Sequence, residues 1–260
     1  MGHLEHVRRH SILGVCVSAL DMAQTLRTIE GWIADRQPNY VCVSNVHSVM
    51  ECYRDPELRR IHNNAGMVTP DGMPLVWLLQ RRLSRKVERV YGPDLMLELC
   101  QLSVERGYTH FLYGGEEGVL DLLSANLRRR FPGLRIVGAY SPPFRPLSPA
   151  EDEEVMRLIS EANPDIVWVG LGMPKQERWM AAHVDRLKAP VLIGVGAAFD
   201  FHAGVKRQAP RWMQRNGLEW SFRLMTEPRR LWRRYLKNNP LFVGLVIAES
   251  LGLKKRATNC

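Results

Sequence analysis

The stretch Pro164-Asp165-Ile166-Val167-Trp168-Val169-Gly170-Leu171-Gly172-Met173-Pro174-Lys175-Gln176-Glu177, with Ala189-Pro190-Val191-Leu192-Ile193-Gly194-Val195-Gly196-Ala197-Ala198-Phe199-Asp200 after a polar helical segment, decides the fold. Each half is a short unbroken apolar run that ends in Gly-x-Gly. Such a run suits a strand buried on both faces, because a half-exposed strand would alternate polar and apolar residues. Two of these units in succession predict a parallel sheet with a glycine loop after each strand. In open sheets of this kind ligands bind beyond the carboxyl ends of the strands, where glycine lets the backbone approach a phosphate and the next helix offers free N–H groups. A phosphate-bearing ligand is expected there.

The same rhythm extends toward the N-terminus. Residues 110–113 read as a strand before Gly114-Gly115, 118–131 as a helix, 134–140 as a strand and 150–162 as a helix. Earlier still, 12–17 and 40–44 are expected strands. Between them a helix opens at Asp21, with Met22, Leu26, Ile29 and Ile33 at helical spacing. A single helix is expected from 46 to about 63. A short strand over 67–70 then runs into Asp71-Gly72, a turn pair, which puts Asp71 at a strand end. A helix over 75–80, a loop over 88–94 and a helix over 95–106 complete this half. After Ala209-Pro210 the chain turns helical, rich in Arg and Trp and poor in strand signals. The predicted architecture is α/β, a Rossmann-like parallel sheet flanked by helices, with a basic helical C-terminal appendage. The expected boundary separates a core over 1–205 from an appendage over 206–260.

A chain of 260 residues with 45% hydrophobic content can bury a full core, and its average composition excludes disorder or a fibre. The net charge of +9 is not spread evenly. Residues 206–260 hold 13 basic and 3 acidic side chains, or +10, which leaves −1 for residues 1–205. A segment so polarised is suited to an anionic partner, whether a membrane surface, lipid phosphates or nucleic acid. The five cysteines are scattered, with no Cys-x-x-Cys, which favours a reduced, cytosolic protein. Arg8 and Arg9 precede an apolar run over 12–20 that is short and contains Ser18, so it reads as a strand rather than a signal peptide. The longest candidate for a spanning helix, 241–253, contains Glu249 and Ser250 and falls short of the roughly 20 apolar residues needed. The protein is expected to touch a membrane and not to cross one.

Gly114-Gly115, Gly170-x-Gly172 and Gly194-x-Gly196 each follow an expected strand, and three such loops in one sheet point to a nucleotide-phosphate site. Glycines also serve tight turns for steric reasons alone. No complete Gly-x-Gly-x-x-Gly fingerprint and no Gly-Lys-Ser/Thr loop occurs, which disfavours redox cofactors and ATP hydrolysis. Pro174 suits a first helical position, leaving Lys175 and Gln176 either in a ligand crevice or at a solvated helix start. Asp200, between Phe199 and Phe201, could accept from a base or ribose or could cap a turn. Asp71 beside Asn45 could act as general base with an orienting amide, although Asp-Gly is also a common turn. Arg89 could neutralise a diphosphate or pair with Glu88. The eight histidines show no metal spacing, and His47 and His202 remain unassigned.

Several of these blocks occur together in one known family. Ser44-Asn45, Pro70-Asp71-Gly72, Glu88-Arg89-Val90-x-Gly92-x-Asp94-Leu95, Gly170-x-Gly172-x-Pro174-Lys175-Gln176-Glu177 and Gly194-x-Gly196-Ala197-x-Phe199-Asp200 follow one another in the family's order. So do Arg207-x-Ala209-Pro210, Gly217-Leu218-Glu219-Trp220-x-x-Arg223 and Glu227-Pro228-Arg229-Arg230-Leu231. Over residues 12–235 the chain resembles the WecG/TagA/CpsF glycosyltransferases, glycosyltransferase family 26. The resemblance implies an inverting, metal-independent hexosyl transfer from a UDP-sugar to a saccharide on a polyprenyl diphosphate. It places the protein peripherally at the cytoplasmic face of a bacterial inner membrane, in exopolysaccharide or cell-surface polymer assembly. It needs no cofactor beyond the UDP-sugar donor substrate and leaves assembly into a homo-oligomer open.

Carried over residue by residue, the resemblance makes Asp71 the base, Asn45 the group that holds the sugar, and Arg89 a diphosphate or acceptor-phosphate contact. Gln176 becomes a donor contact, joined by Gly114, Gly170, Gly172 and Gly196, with Tyr140 and Asp200 toward uridine. Arg223, Arg230 and Arg233, in the acceptor and lid role, match arginines of the appendage that close over the active site when the protein meets the membrane. One departure stands out: Val43 occupies a position where the family often has Thr. Valine donates no hydrogen bond, so altered sugar positioning is expected, not lost activity.

The chemistry agrees with such an assignment. Displacement at an anomeric carbon takes a proton from a hydroxyl on one side and releases a negative diphosphate on the other, so it needs a carboxylate and fixed positive donors. In an arginine-rich chain without metal spacing, arginines and helix N-termini would supply the positive charge. A polybasic surface also gains about 1 kcal/mol per residue near anionic lipid, and Trp212, Trp220 and Trp232 suit an interface. Two alternatives compete with this reading. One is a nucleic-acid-binding protein that uses its Arg/Trp-rich C-terminal segment. The other is a nucleotide-binding domain without catalysis.

Overall fold

The computed structural model describes residues 7–83, 86–253 and 260. Six strands form one parallel sheet flanked by helices, in the order β4-β3-β8-β7-β5-β6. They are β3 (Asn39–Ser44), β4 (Met67–Pro70), β5 (Thr109–Gly114), β6 (Arg135–Tyr140), β7 (Ile166–Gly170) and β8 (Val191–Gly194). The apolar runs behave as their composition requires. β5 and β8 are buried at every residue and β7 at all but Gly170, while β6, on the edge, alternates between exposed and half-buried. A further pair, β1 (Arg9–Ile12) and β2 (Val15–Ser18), forms a separate antiparallel hairpin.

The chain divides into two compact units. The first comprises residues 23–42 and 92–207. It contains helix α1 (Met22–Ala34) from its second residue on, α5 (Gly92–Arg106), α6 (Val119–Arg130), α7 (Pro149–Ala162), α8 (Lys175–His183) and α9 (Ala198–Ala203). Of these, α6, α7 and α8 connect strands β5 to β8 in the alternating βα order expected from the sequence. α7 starts on a capping box, with Ser148 Oγ accepting from the Glu151 N–H and the Glu151 carboxylate accepting from the Ser148 N–H.

The second unit gathers residues 43–91 and 208–260 with the N-terminal hairpin, so far as these are described. Its helices are α2 (Val46–Arg54), α3 (Pro56–Asn64), α4 (Met73–Leu83), α10 (Arg211–Arg215), α11 (Glu219–Thr226) and α12 (Pro228–Ser250). α12 packs against α2 and α11 and buries Leu231, Asn238, Phe242, Val246 and Glu249 along one face. Glu249 is buried because Arg82 is there to pair with it at 2.6 Å. The division therefore differs from a boundary at residue 205. The C-terminal segment completes a core with earlier parts of the chain, and Lys254, Lys255 and Arg256 of its basic run lie outside the described residues.

Local expectations fail in four places. The strand expected over 12–17 is a hairpin, because Leu13 (φ 52°) and Gly14 (φ 90°) form a two-residue turn of the kind that matches strand twist. The helix expected over 46–63 is two helices. Asp55, restricted to extended backbone by Pro56, ends α2 and caps α3 through its side chain, which accepts from the Glu57 and Leu58 N–H groups. α5 begins at Gly92, ahead of the expected 95, with Pro93 in its first turn where a missing N–H costs nothing. Finally, Cys16 and Cys260 are joined by a disulfide with a Cα–Cα distance of 5.5 Å, against the reduced state expected for all five cysteines. Cys42, Cys52 and Cys100 are buried and stand outside this disulfide. Among the described residues no helix is long and apolar enough to cross a membrane.

Candidate functional site

The second unit holds a compact charged cluster around Asp71. This residue follows the last residue of β4, and its N–H donates to the Ser44 carbonyl at 2.8 Å, which ties it to the end of β3. Gly72 then opens the turn into α4. A Cβ at Gly72 would lie 3.2 Å from the Asn45 Cβ, so the close approach of the two loops favours glycine here. Asn45 is the N-cap of α2, its Oδ1 accepting from the N–H groups of His47 (3.0 Å) and Ser48 (3.3 Å). Its side chain also favours the ionised form of the Asp71 carboxyl group. The sequence-predicted pair is therefore assembled. At the position next to it, Ser44 Oγ is fully buried and makes no hydrogen bond, beside the valine at residue 43.

Arg89 joins Asp71 and not Glu88. Its Nη2 lies 3.3 Å from Asp71 Oδ1, and its Nε donates to the Asp71 carbonyl. The same Nη2 donates to Glu219 Oε2 from α11, while Tyr91 donates its hydroxyl to Glu219 Oε1 at 3.2 Å. The guanidinium also stacks 4.0 Å over the Tyr91 ring. Glu88 pairs instead with Lys86. One cation thus serves two carboxylates. Burial pushes the Asp71 carboxyl up to about 6; Arg89 opposes this, Glu219 adds to it, and Asn45 and Arg223 oppose it more weakly. A side chain still 15% exposed with a pKa near neutrality can take a proton from a ligand hydroxyl.

The arginines expected in the C-terminal segment separate. Arg223 and Arg230 act electrostatically on Arg234, whose guanidinium is lowered to about 10, chiefly by burial. Arg234 Nε is buried with no hydrogen-bond partner. Arg230 pairs with Glu227. Arg233, by contrast, is exposed and lies over the Trp232 ring. His47, on the facing turn of α2, is pushed down to about 3 by burial and then by Arg234, Arg54 and Arg223, so it is a neutral acceptor for Asn238 Nδ2 at 3.0 Å. Sequence reasoning missed Glu219, Tyr91 and Arg234. Glu219 stood within a quoted block, but nothing in its spacing linked it to a residue 130 positions earlier.

The first unit holds the glycine loops. Gly114 and Gly170 are partners in register at the ends of β5 and β7, and a Cβ at Gly114 (φ 113°) would lie 2.7 Å from the Gly170 backbone. A Cβ at Gly170 would meet the Phe199 ring at 2.5 Å. These two glycines are required by packing. Gly172 (φ 74°) and Gly196 (φ 51°) have left-handed backbone with open space or only the Gln176 amide nearby. Tyr140 ends β6 and stacks on Tyr113 at 6.3 Å. Asp200 lies in the first turn of α9 and pairs with Lys206 Nζ at 2.5 Å, so a ligand would compete with this lysine. Lys175 is exposed, whereas Gln176 and Glu177 at the start of α8 are buried. Among the described residues no three His, Cys, Asp or Glu side chains gather in the manner of a metal site.

Residues 10–256 match the model of the glycosyl transferase WecG/TagA/CpsF family. The chain belongs to that family. As a WecG/TagA/CpsF protein it is a glycosyltransferase, and its match covers both compact units. It is similar to the N-acetylglucosaminyldiphosphoundecaprenol N-acetyl-beta-D-mannosaminyltransferases of Staphylococcus aureus strains NCTC 8325 / PS 47, COL and MRSA252. Each is 27% identical over 246 residues, covering 94% of this chain and 94% of the relative.

Proposed function

We propose that this chain transfers a hexosyl group from a UDP-sugar to a saccharide on a polyprenyl diphosphate, with inversion at the anomeric carbon, in the assembly of a bacterial exopolysaccharide or cell-surface polymer. The observation that carries the reading is Asp71, a carboxyl group at a strand end with its pKa raised to about 6 beside an oriented amide and an arginine. In the reaction an acceptor hydroxyl attacks the anomeric carbon as its proton passes to the Asp71 carboxylate. The bond from that carbon to the UDP oxygen breaks, and UDP departs with the electron pair. A single displacement of this kind inverts the centre. Asn45 holds the sugar near the base. Arg89 supplies positive charge toward a diphosphate, a role that would require it to loosen its contact with Glu219.

The donor role falls to Gly114, Gly170, Gly172, Gly196, Gln176, Tyr140 and Asp200, and the acceptor role to Arg223, Arg230 and Arg233. An N-acetylglucosaminyl diphosphoundecaprenol acceptor, as in the relatives' name, is the first to test. The reading assigns no metal, because arginines can neutralise the leaving group. Contact with the cytoplasmic face of the membrane is supported by α12. Opposite its buried face it exposes Trp232, Leu236, Leu241, Val243 and Ile247 in line with Arg229, Arg233 and Lys237.

The test incubates the full chain with a panel of UDP-sugars and a short-chain polyprenyl diphosphate N-acetylglucosamine, reading product by mass. One UDP-sugar should give a product heavier by one glycosyl unit, and Asp71→Asn should remove it while leaving UDP affinity nearly intact. Undiminished transfer by Asp71→Asn, or loss of UDP binding and transfer together, would overturn the assignment of the base.

A further inference from the structure

The first unit contains a buried acid that the proposed transfer does not use. Gln176 and Glu177 open α8 and both point inward, with 5% and 1% of their surface exposed. Gln176 Nε2 donates to Glu177 Oε1 at 2.9 Å. Two oxygens of the pair, Gln176 Oε1 and Glu177 Oε2, are buried and make no hydrogen bond. A protein leaves buried oxygens unmatched at a cost, so such atoms point to a group that arrives later.

The surroundings of the amide restrict what that group can be. A Cβ at Gly194 would come within 3.1 Å of Gln176 Nε2 and 2.8 Å of Met180 Cε, so the glycine makes room for the amide. A Cβ at Gly196 would stand 3.6 Å from Gln176 Oε1, which places that oxygen at the glycine loop after β8. A carboxamide presents a donor at one end and an acceptor at the other, and whichever end is claimed internally decides what the other end offers. The Glu177 Oε1 claims the nitrogen. With burial pushing this carboxyl up to about 7, it holds a proton through the mildly acidic range, and one oxygen stays an acceptor in either protonation state.

We infer that Glu177 is a positioning residue, whose Oε1 holds the Gln176 amide nitrogen so that Gln176 Oε1 is offered as an acceptor to an N–H or O–H of the bound UDP-sugar. The inference rests on the donor role of Gln176 in the proposed function and names the residue that gives it one orientation. Glu177→Gln keeps an acceptor in the same place; Glu177→Met keeps the bulk and removes it.

The experiment measures affinity for UDP-N-acetylglucosamine by calorimetry with the full chain, alongside steady-state kinetics on whichever UDP-sugar is turned over. Glu177→Met should weaken nucleotide-sugar binding about tenfold and raise KM for the donor by a similar factor, with kcat at saturating donor changed less than threefold. Glu177→Gln should recover affinity to within about threefold of wild type. In a Gln176→Leu background, Glu177→Met should add nothing, because it has no amide left to orient. Wild-type affinity in Glu177→Met, equal losses in Glu177→Gln and Glu177→Met, or additive losses in the double variant would each overturn the inference. If Glu177→Met fails to fold, equal binding by Glu177→Gln and wild type with a Gln176→Leu loss still supports it, and a tenfold loss in Glu177→Gln overturns it. A wild type that binds no nucleotide sugar overturns the donor reading together with the inference. Normal binding that Asp71→Asn turns into no loss of transfer sinks only the assignment of the base.

Discussion

Two carboxyl groups withdrawn from water, half-buried Asp71 in one compact unit and fully buried Glu177 in the other, illustrate how desolvation acquires different uses. Asp71 and Glu177 are both raised, to about 6 and about 7, and burial is the leading cause for both. Around Asp71 stand Arg89, Glu219, Asn45 and Arg223, so its charged form is held by a cation and reached near neutral pH. Around Glu177 the opposing influences are the Gln176 amide and a backbone N–H. A carboxylate with a cation beside it can cycle between proton states, as a base must. A carboxyl group held by an amide is better suited to fixing a direction. The difference in use follows from the neighbours.

The comparison breaks most decisively on turnover. Asp71→Asn should lower kcat/KM by about 10²–10⁴, measured with the UDP-sugar identified by mass, as expected for loss of a general base. The next effect is on stability. Glu177 is protonated in both folded and unfolded chains below about 4.5 and ionised in both above about 7, and between these values the folded chain binds the proton more tightly. Stability from this site therefore falls as pH rises from about 4.5 to about 7. Glu177→Gln should match wild type in thermal unfolding at pH 4.5 and exceed it at pH 8, by on the order of 3 kcal/mol at most.

A third variant probes the packing glycines. Gly114→Ala places a methyl group against the Gly170 backbone at a positive φ, and should cost about 1–3 kcal/mol in denaturant unfolding. Gly172→Ala meets no neighbour and should cost less, through its φ alone. The smallest effect is a displaced pH profile. kcat/KM should rise with pH through about 6 as Asp71 ionises and level off above it. Because Glu219 raises and Arg89 lowers the Asp71 pKa, Glu219→Gln should move this limb to lower pH and Arg89→Gln to higher pH. Limbs that stay in place would remove Glu219 from the control of the base.

Much of the fold was legible because strands buried on both faces leave unbroken apolar runs. β5, β7 and β8 fall within a residue or so of where the runs at 110–113, 166–170 and 191–194 put them. Misreadings arose where a single dihedral or cap overrides periodicity, at Leu13-Gly14 and at Asp55-Pro56. The site divides in the same way. Asn45 and Asp71 could be placed at strand ends from local pattern, and the structure brings the two ends together through the Asp71 N–H, which donates to the Ser44 carbonyl. Arg89 left two readings open, and a contact made across the fold chose Asp71 over the adjacent Glu88.

By itself the sequence determined the parallel sheet, the glycine loops and the family, because each depends on residue types at fixed local spacing. Only the tertiary structure decided that residues 208–253 share a core with residues 43–91, that Glu219 and Tyr91 close around Arg89, that the Arg234 Nε is buried while Arg233 is exposed, and that Cys16 meets Cys260. These contacts join residues far apart in the chain. Side-chain burial and charge pairing at such range follow from how helices and strands pack, and no local pattern encodes them.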